Sequence, residues 1–184
     1  LSKGGGERVV SELSMHFPDS IEKTIVLFNQ QISYPYKGKL LCLDIPLSNN
    51  LLLKVFYFLK ALWVFRKIVK TEKPDYVVSF IRPANIINIL SGARAVVRVD
   101  SFLSSVPDFI YKMLTRIFYR KAFLVVCVSR ASAKDLMSNF IFQLFRDKIV
   151  ISDDTEQTRD VQVFIAIRKA YAKDDQAFLR YQLF

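Results

Sequence analysis

Apolar residues along this chain follow two rhythms. In residues 7–17, Val9, Val10, Leu13 and Phe17 recur at helical spacing, and Pro18 stops the pattern. Beyond it, short continuous apolar runs alternate with longer helical stretches. Residues 24–28, 40–45, 76–80, 95–99, 123–128 and 148–151 read as strands, and residues 51–70, 84–90, 106–121 and 131–140 as helices. Strands that are apolar on both faces need helices on both sides of the sheet. The alternation predicts an α/β fold: a Rossmann-like, doubly wound, mostly parallel sheet covered on both faces. Residues 153–160 are polar and read as a linker. Residues 161–184 read as a helical tail, with Val163, Ile167, Ala170 and Tyr171 on one side. The expected organisation is one domain over residues 1–151, followed by a linker and tail over 152–184.

Three consecutive glycines, Gly4, Gly5 and Gly6, run directly into Glu7, Arg8 and the first helical pattern. Glycine leaves room for a ligand, and a helix start offers free N–H groups and a positive dipole end. That suits a phosphate. Such loops follow a buried strand, and none precedes this one. The expectation is therefore a fold whose first strand is missing.

In an open parallel sheet, ligands bind beyond the carboxyl ends of the strands. That rule collects Arg8, Arg82, Asn85, Arg98, Asp100, Ser101, Ser129 and Arg130 at one edge. The set suits a polar ligand, either anionic or hydroxylated. Each residue also has a plain structural reading. Ser129 can cap the helix that starts near Ala131. Asp100 can be a turn residue, and Arg98 can pair with an acidic neighbour. His16, the only histidine, sits near a helix end, where it favours the dipole.

Several chemistries are excluded. No Gly-Lys-Ser/Thr follows the glycines, so a nucleotide P-loop is absent, and Val9 stands where a dinucleotide fingerprint needs its third glycine. No histidine lies at a strand end to serve a Ser-His-Asp triad. No Cys/His cluster has metal-ligand spacing, so no metal site is expected. Cys42 and Cys127 lie in apolar runs and read as buried, reduced thiols, which fits a cytoplasmic protein.

Order and spacing add a resemblance. Gly4-Gly5-Gly6-Glu7-Arg8-Val9-Val10, then Lys73-Pro74-Asp75-Tyr76-Val77-Val78-Ser79-Phe80, then Tyr119-Arg120-Lys121-Ala122-Phe123 through Val128-Ser129 follow one another along residues 3–151. This succession resembles the N-terminal, acceptor-side domain of a family-four glycosyltransferase of the GT-B fold. The resemblance implies retaining transfer of a sugar from a nucleotide-sugar donor to a lipid-linked or polysaccharide acceptor. It implies that Gly4, Gly5, Gly6, Glu7 and Arg8 approach the donor phosphates. It also implies an acceptor cleft holding Arg82, Asn85, Arg98, Asp100, Ser101, Ser129 and Arg130. The domain itself carries no cofactor. A second GT-B domain, absent from this sequence, would bind most of the donor through a pair of glutamates. The chain alone is then expected to be an inactive fragment with no assigned catalytic residue.

Charge changes the picture once more. The formal net charge is +10, from 27 Lys+Arg against 17 Asp+Glu. Residues 51–70 are hydrophobic almost all round, yet Lys54 and Lys60 interrupt the apolar part. A charge near mid-bilayer costs about 2.5–3.5 kcal/mol, which argues against a span. The plain reading is a helix packed on the sheet. The functional reading is a membrane-surface helix in which Trp63 dips among lipids while Lys54, Lys60, Arg66, Lys67 and Lys70 meet anionic headgroups. A peripheral location on the inner face of the cytoplasmic membrane follows. The alternative is a non-catalytic basic module for anionic lipid or nucleic acid. Aromatics here lie in apolar runs instead of alternating with basic residues, so no specific nucleic acid is expected.

Overall fold

A computed structural model describes residues 5–29, 34–46, 48–99, 102, 104–105, 109–140, 148–151 and 163–168. The chain begins with helix α1 (Gly5–His16) and strands β1 (Glu22–Leu27) and β2 (Lys39–Cys42). Then come α2 (Leu51–Glu72), β3 (Tyr76–Phe80), α3 (Arg82–Ser91), β4 (Ala95–Val99) and α4 (Phe109–Phe118). A short 3-10 turn (Tyr119–Lys121) leads to β5 (Leu124–Cys127), α5 (Arg130–Phe140), β6 (Ile149–Ile151) and β7 (Val163–Arg168). The strands form one sheet in the order β2-β1-β7-β3-β4-β5-β6. The fold is Rossmann-like α/β, doubly wound and mostly parallel.

Alternate strand residues separate the two faces. Ile25, Tyr76, Val78, Val96 and Val126 pack with Val10 and Phe17 of α1 on one side. On the other, Val26 and Val77 pack with α2 and α3. There too Val97, Val125 and Cys127 meet Tyr111 of α4 and Leu136 of α5. Buried polar groups tie α3 to the sheet: Asn88 Nδ2 donates to Val77 O at 2.7 Å and to Ser79 Oγ at 3.0 Å.

The helix ends have local causes. Asn50 Oδ1 accepts from Leu52 N at 2.9 Å and so caps α2. Lys73 closes that helix in the left-handed region (φ 45°), its N–H bonded to Val69 O, and Pro74 prevents continuation. Pro83 in the first turn sets α3 two residues earlier than the apolar pattern suggested.

One expectation is corrected. Residues 163–168 form a strand instead of part of a helical tail, and β7 belongs to the same sheet as the strands before residue 151. Val-Phe-Ile-Ala-Ile is apolar throughout and rich in β-branched residues, which suits a strand buried on both faces. The helical reading of 161–162 and 169–184, and the linker at 153–160, lie outside the described residues. The missing first strand stands: among the described residues no strand precedes α1. In the order 3-2-1-4-5-6 typical of such sheets, position 1 lies between the strands equivalent to β1 and β3. That position is filled: β7 lies there, antiparallel to both neighbours, with Ala166 opposite Thr24 and Val77.

Candidate functional site

β1 and β3 through β6 all run one way, so Leu27, Phe80, Val99, Cys127 and Ile151 end at one edge of the sheet. The helix α1 runs back along the sheet before β1 begins, which brings Gly5 to that same carboxyl edge. The starts of α3 and α5 also lie there, each directly after a strand. Three helix N-termini therefore converge on one rim, each with a partial positive charge.

The glycine run sits at this rim in a different form from the expected loop. Gly5, Gly6, Glu7 and Arg8 form the first turn of α1. Gly4 and the Glu7 side chain lie outside the described residues, and Arg8 is exposed.

Ile81 joins β3 to α3 with φ 68° and ψ 155°. That region is essentially reserved for glycine, and a β-branched residue held there costs on the order of 1–3 kcal/mol. Strain of this kind clusters at functional sites. Beside it, the exposed Arg82 places its guanidinium 5.5 Å from the Tyr111 ring centroid, a cation–π contact that holds the charge at the rim.

Asn85 and Arg98 face inward. Asn85 is 1% exposed. Its Nδ2 donates to Arg98 O at 2.8 Å and to the Tyr119 hydroxyl at 3.0 Å, and the Tyr111 hydroxyl lies 2.9 Å from that of Tyr119. The Asn85 Oδ1 atom is buried with no hydrogen-bond partner. Arg98 is 6% exposed and lies over the Phe80 ring at 5.7 Å. Burial pushes the Tyr111 hydroxyl pKa up, against the pull of its Tyr119 hydrogen bond and the nearby Arg82 charge.

Ser129 caps α5. Its Oγ accepts from Ser132 N at 3.1 Å, and Ser132 Oγ in turn accepts from Ser129 N at 3.2 Å. This reciprocal pair satisfies two donors at the helix start. Arg130, the first residue of α5, is exposed. Asp100 and Ser101 lie outside the described residues. At the opposite edge, His16 Nδ1 lies 2.8 Å from Glu12 O, in the last turn of α1. The rim thus gathers Arg8, Arg82 and Arg130 as exposed cations, while Asn85, Arg98 and Ser129 hold the scaffold. Among the described residues, no group of His, Cys, Asp and Glu could hold a metal ion.

Along α2, Lys54, Lys60, Trp63, Arg66, Lys67 and Lys70 are all exposed. Lys67 Nζ sits 3.5 Å from the Trp63 ring. Arg66 is tied down, donating to Leu90 O at the end of α3 through Nε at 3.1 Å and Nη2 at 2.8 Å. Among the described residues, no helix is long and apolar enough to cross a membrane.

Sequence reasoning missed Lys23. It lies within β1, is 6% exposed, and donates to Ser14 O at 3.2 Å and Phe17 O at 2.9 Å. There it satisfies carbonyls at the end of α1, and burial lowers its pKa. The Asn85–Tyr119–Tyr111 network was also missed, since its partners come from three separate segments. No protein-family model, curated protein or solved structure matches this chain.

Proposed function

We propose that this chain is the acceptor-binding half of a retaining glycosyltransferase. A sugar would pass from a nucleotide-sugar donor to a lipid-linked or polysaccharide acceptor. A second domain would supply most of the donor site, with no cofactor in this one. The observation that carries the reading is the carboxyl rim, where three helix N-termini meet the exposed Arg8, Arg82 and Arg130. Such a rim suits a diphosphate or a phosphate-bearing acceptor. The order of the Gly-Gly-Gly-Glu-Arg, Lys-Pro-Asp and Tyr-Arg-Lys-Ala motifs supports the specific class. Arg8 and the α1 start would approach the donor phosphates, and Arg82 and Arg130 would hold the acceptor. In this reading α2 lies on an anionic membrane, on the cytoplasmic side.

A non-catalytic basic module for nucleic acid is the competing reading. The central strands β3, β4 and β5 are buried on both faces, so they offer no exposed aromatic platform for bases. Nuclear magnetic resonance titration with uridine diphosphate separates the two. Shifts confined to Gly5–Arg8 and the starts of α3 and α5, weakened severalfold by Arg82→Ala, are expected. Absence of those shifts, with duplex DNA binding that falls steeply with salt, would favour the nucleic-acid module.

A further inference from the structure

Eleven of the fifteen exposed large hydrophobic side chains among the described residues belong to just two helices, α2 and α4. Chance scattering of single apolar residues does not produce this. On α2, Leu52, Phe56 and Trp63 follow one another at helical spacing and are 79%, 59% and 59% exposed. On α4, Phe109, Met113 and Ile117 do the same at 75%, 45% and 50%.

The two stripes belong to one surface. Both helices pack on the same face of the sheet, with α3 between them and buried continuously from Ala84 to Ile89. Phe58 of α2 packs against the cluster that contains Tyr111 of α4. Exposed side chains on both helices therefore point away from the sheet on the same side. Direction matters too. Each helix follows a strand that ends at the carboxyl edge, so each starts there and runs away from it. The most exposed apolar residues, Leu51, Leu52 and Phe109, are all at those starts. They border the rim that carries Arg82.

Charge decides the partner. α4 has no acidic residue and carries Lys112 and Arg116. The one acidic residue of α2, Glu72, is paired with Lys39 at 2.7 Å at the far end. A protein partner for so apolar a face would not require cations interleaved along both stripes. Anionic headgroups above an acyl interior would.

We propose that α2 and α4 together form one platform that seats on an anionic bilayer, with the carboxyl rim held at the headgroups. The inference deepens the glycosyltransferase reading by presenting a lipid-borne acceptor to the rim. It rests on the membrane part of that reading and adds α4 to it. Trp63 is the single tryptophan, so its emission reports α2 alone. A Met113→Trp substitution in a Trp63→Phe background reports α4 alone. With vesicles of mixed phosphatidylserine and phosphatidylcholine, both probes should shift to the blue and be quenched by brominated acyl chains. Phe109→Ser with Ile117→Ser should weaken vesicle partitioning about tenfold, with the thermal transition unchanged. A response from Trp63 but none from the probe at 113 would overturn the two-helix platform and leave the α2 reading intact. No response from either would overturn both. A dimer in sedimentation velocity that the Phe109→Ser, Ile117→Ser protein loses would assign the face to a second copy and overturn the proposal.

Discussion

The side-chain amide nitrogen of Asn85 lies 3.0 Å from the phenolic oxygen of Tyr119, across thirty-four positions of sequence. That one hydroxyl also meets Tyr111 at 2.9 Å, so a helix at the rim, the buried Tyr119 of the 3-10 turn and α4 share a single polar knot. Removing the middle group takes one hydrogen bond from each of two buried partners, Asn85 and Tyr111. Tyr119→Phe should therefore cost about 1–3 kcal/mol. Asn85→Ala should cost at least as much, because it also strips the Arg98 carbonyl of its 2.8 Å donor. Urea unfolding midpoints measure both. Equal stability of Tyr119→Phe and the parent would show that the knot contributes nothing.

Tyr111 makes the same knot sensitive to pH. Burial raises its pKa above the ordinary tyrosine value of 10.0. The folded chain then holds a proton that the unfolded chain releases. This contribution is complete below the unfolded value and is lost as pH rises through it toward the folded one. The slope reaches at most about 1.4 kcal/mol per pH unit for one proton. Unfolding free energies measured across the alkaline range should fall with this slope in the parent. Tyr111→Phe should flatten it.

Gly38 and Gly92 provide a matched comparison. A Cβ on Gly38 would meet the carbonyl oxygen of Lys23 at 2.5 Å, whereas one on Gly92 would meet nothing within 4 Å. Both have positive φ, 124° and 90°. Gly92→Ala should then cost roughly 1 kcal/mol of backbone strain alone. Gly38→Ala adds a backbone clash beside the buried Lys23, so its loss should exceed that of Gly92→Ala by at least about 1 kcal/mol. Thermal or urea midpoints of the two variants decide it. A smaller loss at Gly38 would mean that the β2 edge yields to make room.

Much of the sheet was legible because its strands are continuous apolar runs: residues 76–80 and 95–99 coincide with β3 and β4. The rim was legible for the same reason, since a strand's end fixes where its following loop must lie. Side-chain direction was not. Asn85 and Arg98 sit at strand ends in sequence, yet both are buried. Nothing in their local pattern signals a tyrosine thirty-four residues away. The exposed stripe of α4 was hidden differently. Phe109, Met113 and Ile117 have the spacing of a core face, and only the position of α3 reveals that they face outward. The tail misled because Val163 and Ile167 satisfy a helical period as well as a strand's, and the choice was made by two waiting strand edges.

Those edges carry the last prediction. Ala166 pairs with Thr24 on one side and Val77 on the other. Residues 163–167 of β7 thus lie between two strands, in the middle of the sheet. Ala166→Pro would remove the backbone donor and set a ring against a neighbouring strand, an arrangement that sheets tolerate only at edges. The loss should be roughly 3 kcal/mol or more, a large part of the stability of a domain this size. A chain ending at Ile151 should fare worse. It would leave the facing edges of β1 and β3 unpaired within a core where Ile25, Val26, Val77 and Val78 are buried. Hydrogen exchange should then show lost protection at residues 24–26 and 77–79 together, because one strand serves both edges. Unchanged protection there, in either variant, would mean that the β1–β3 gap closes without β7.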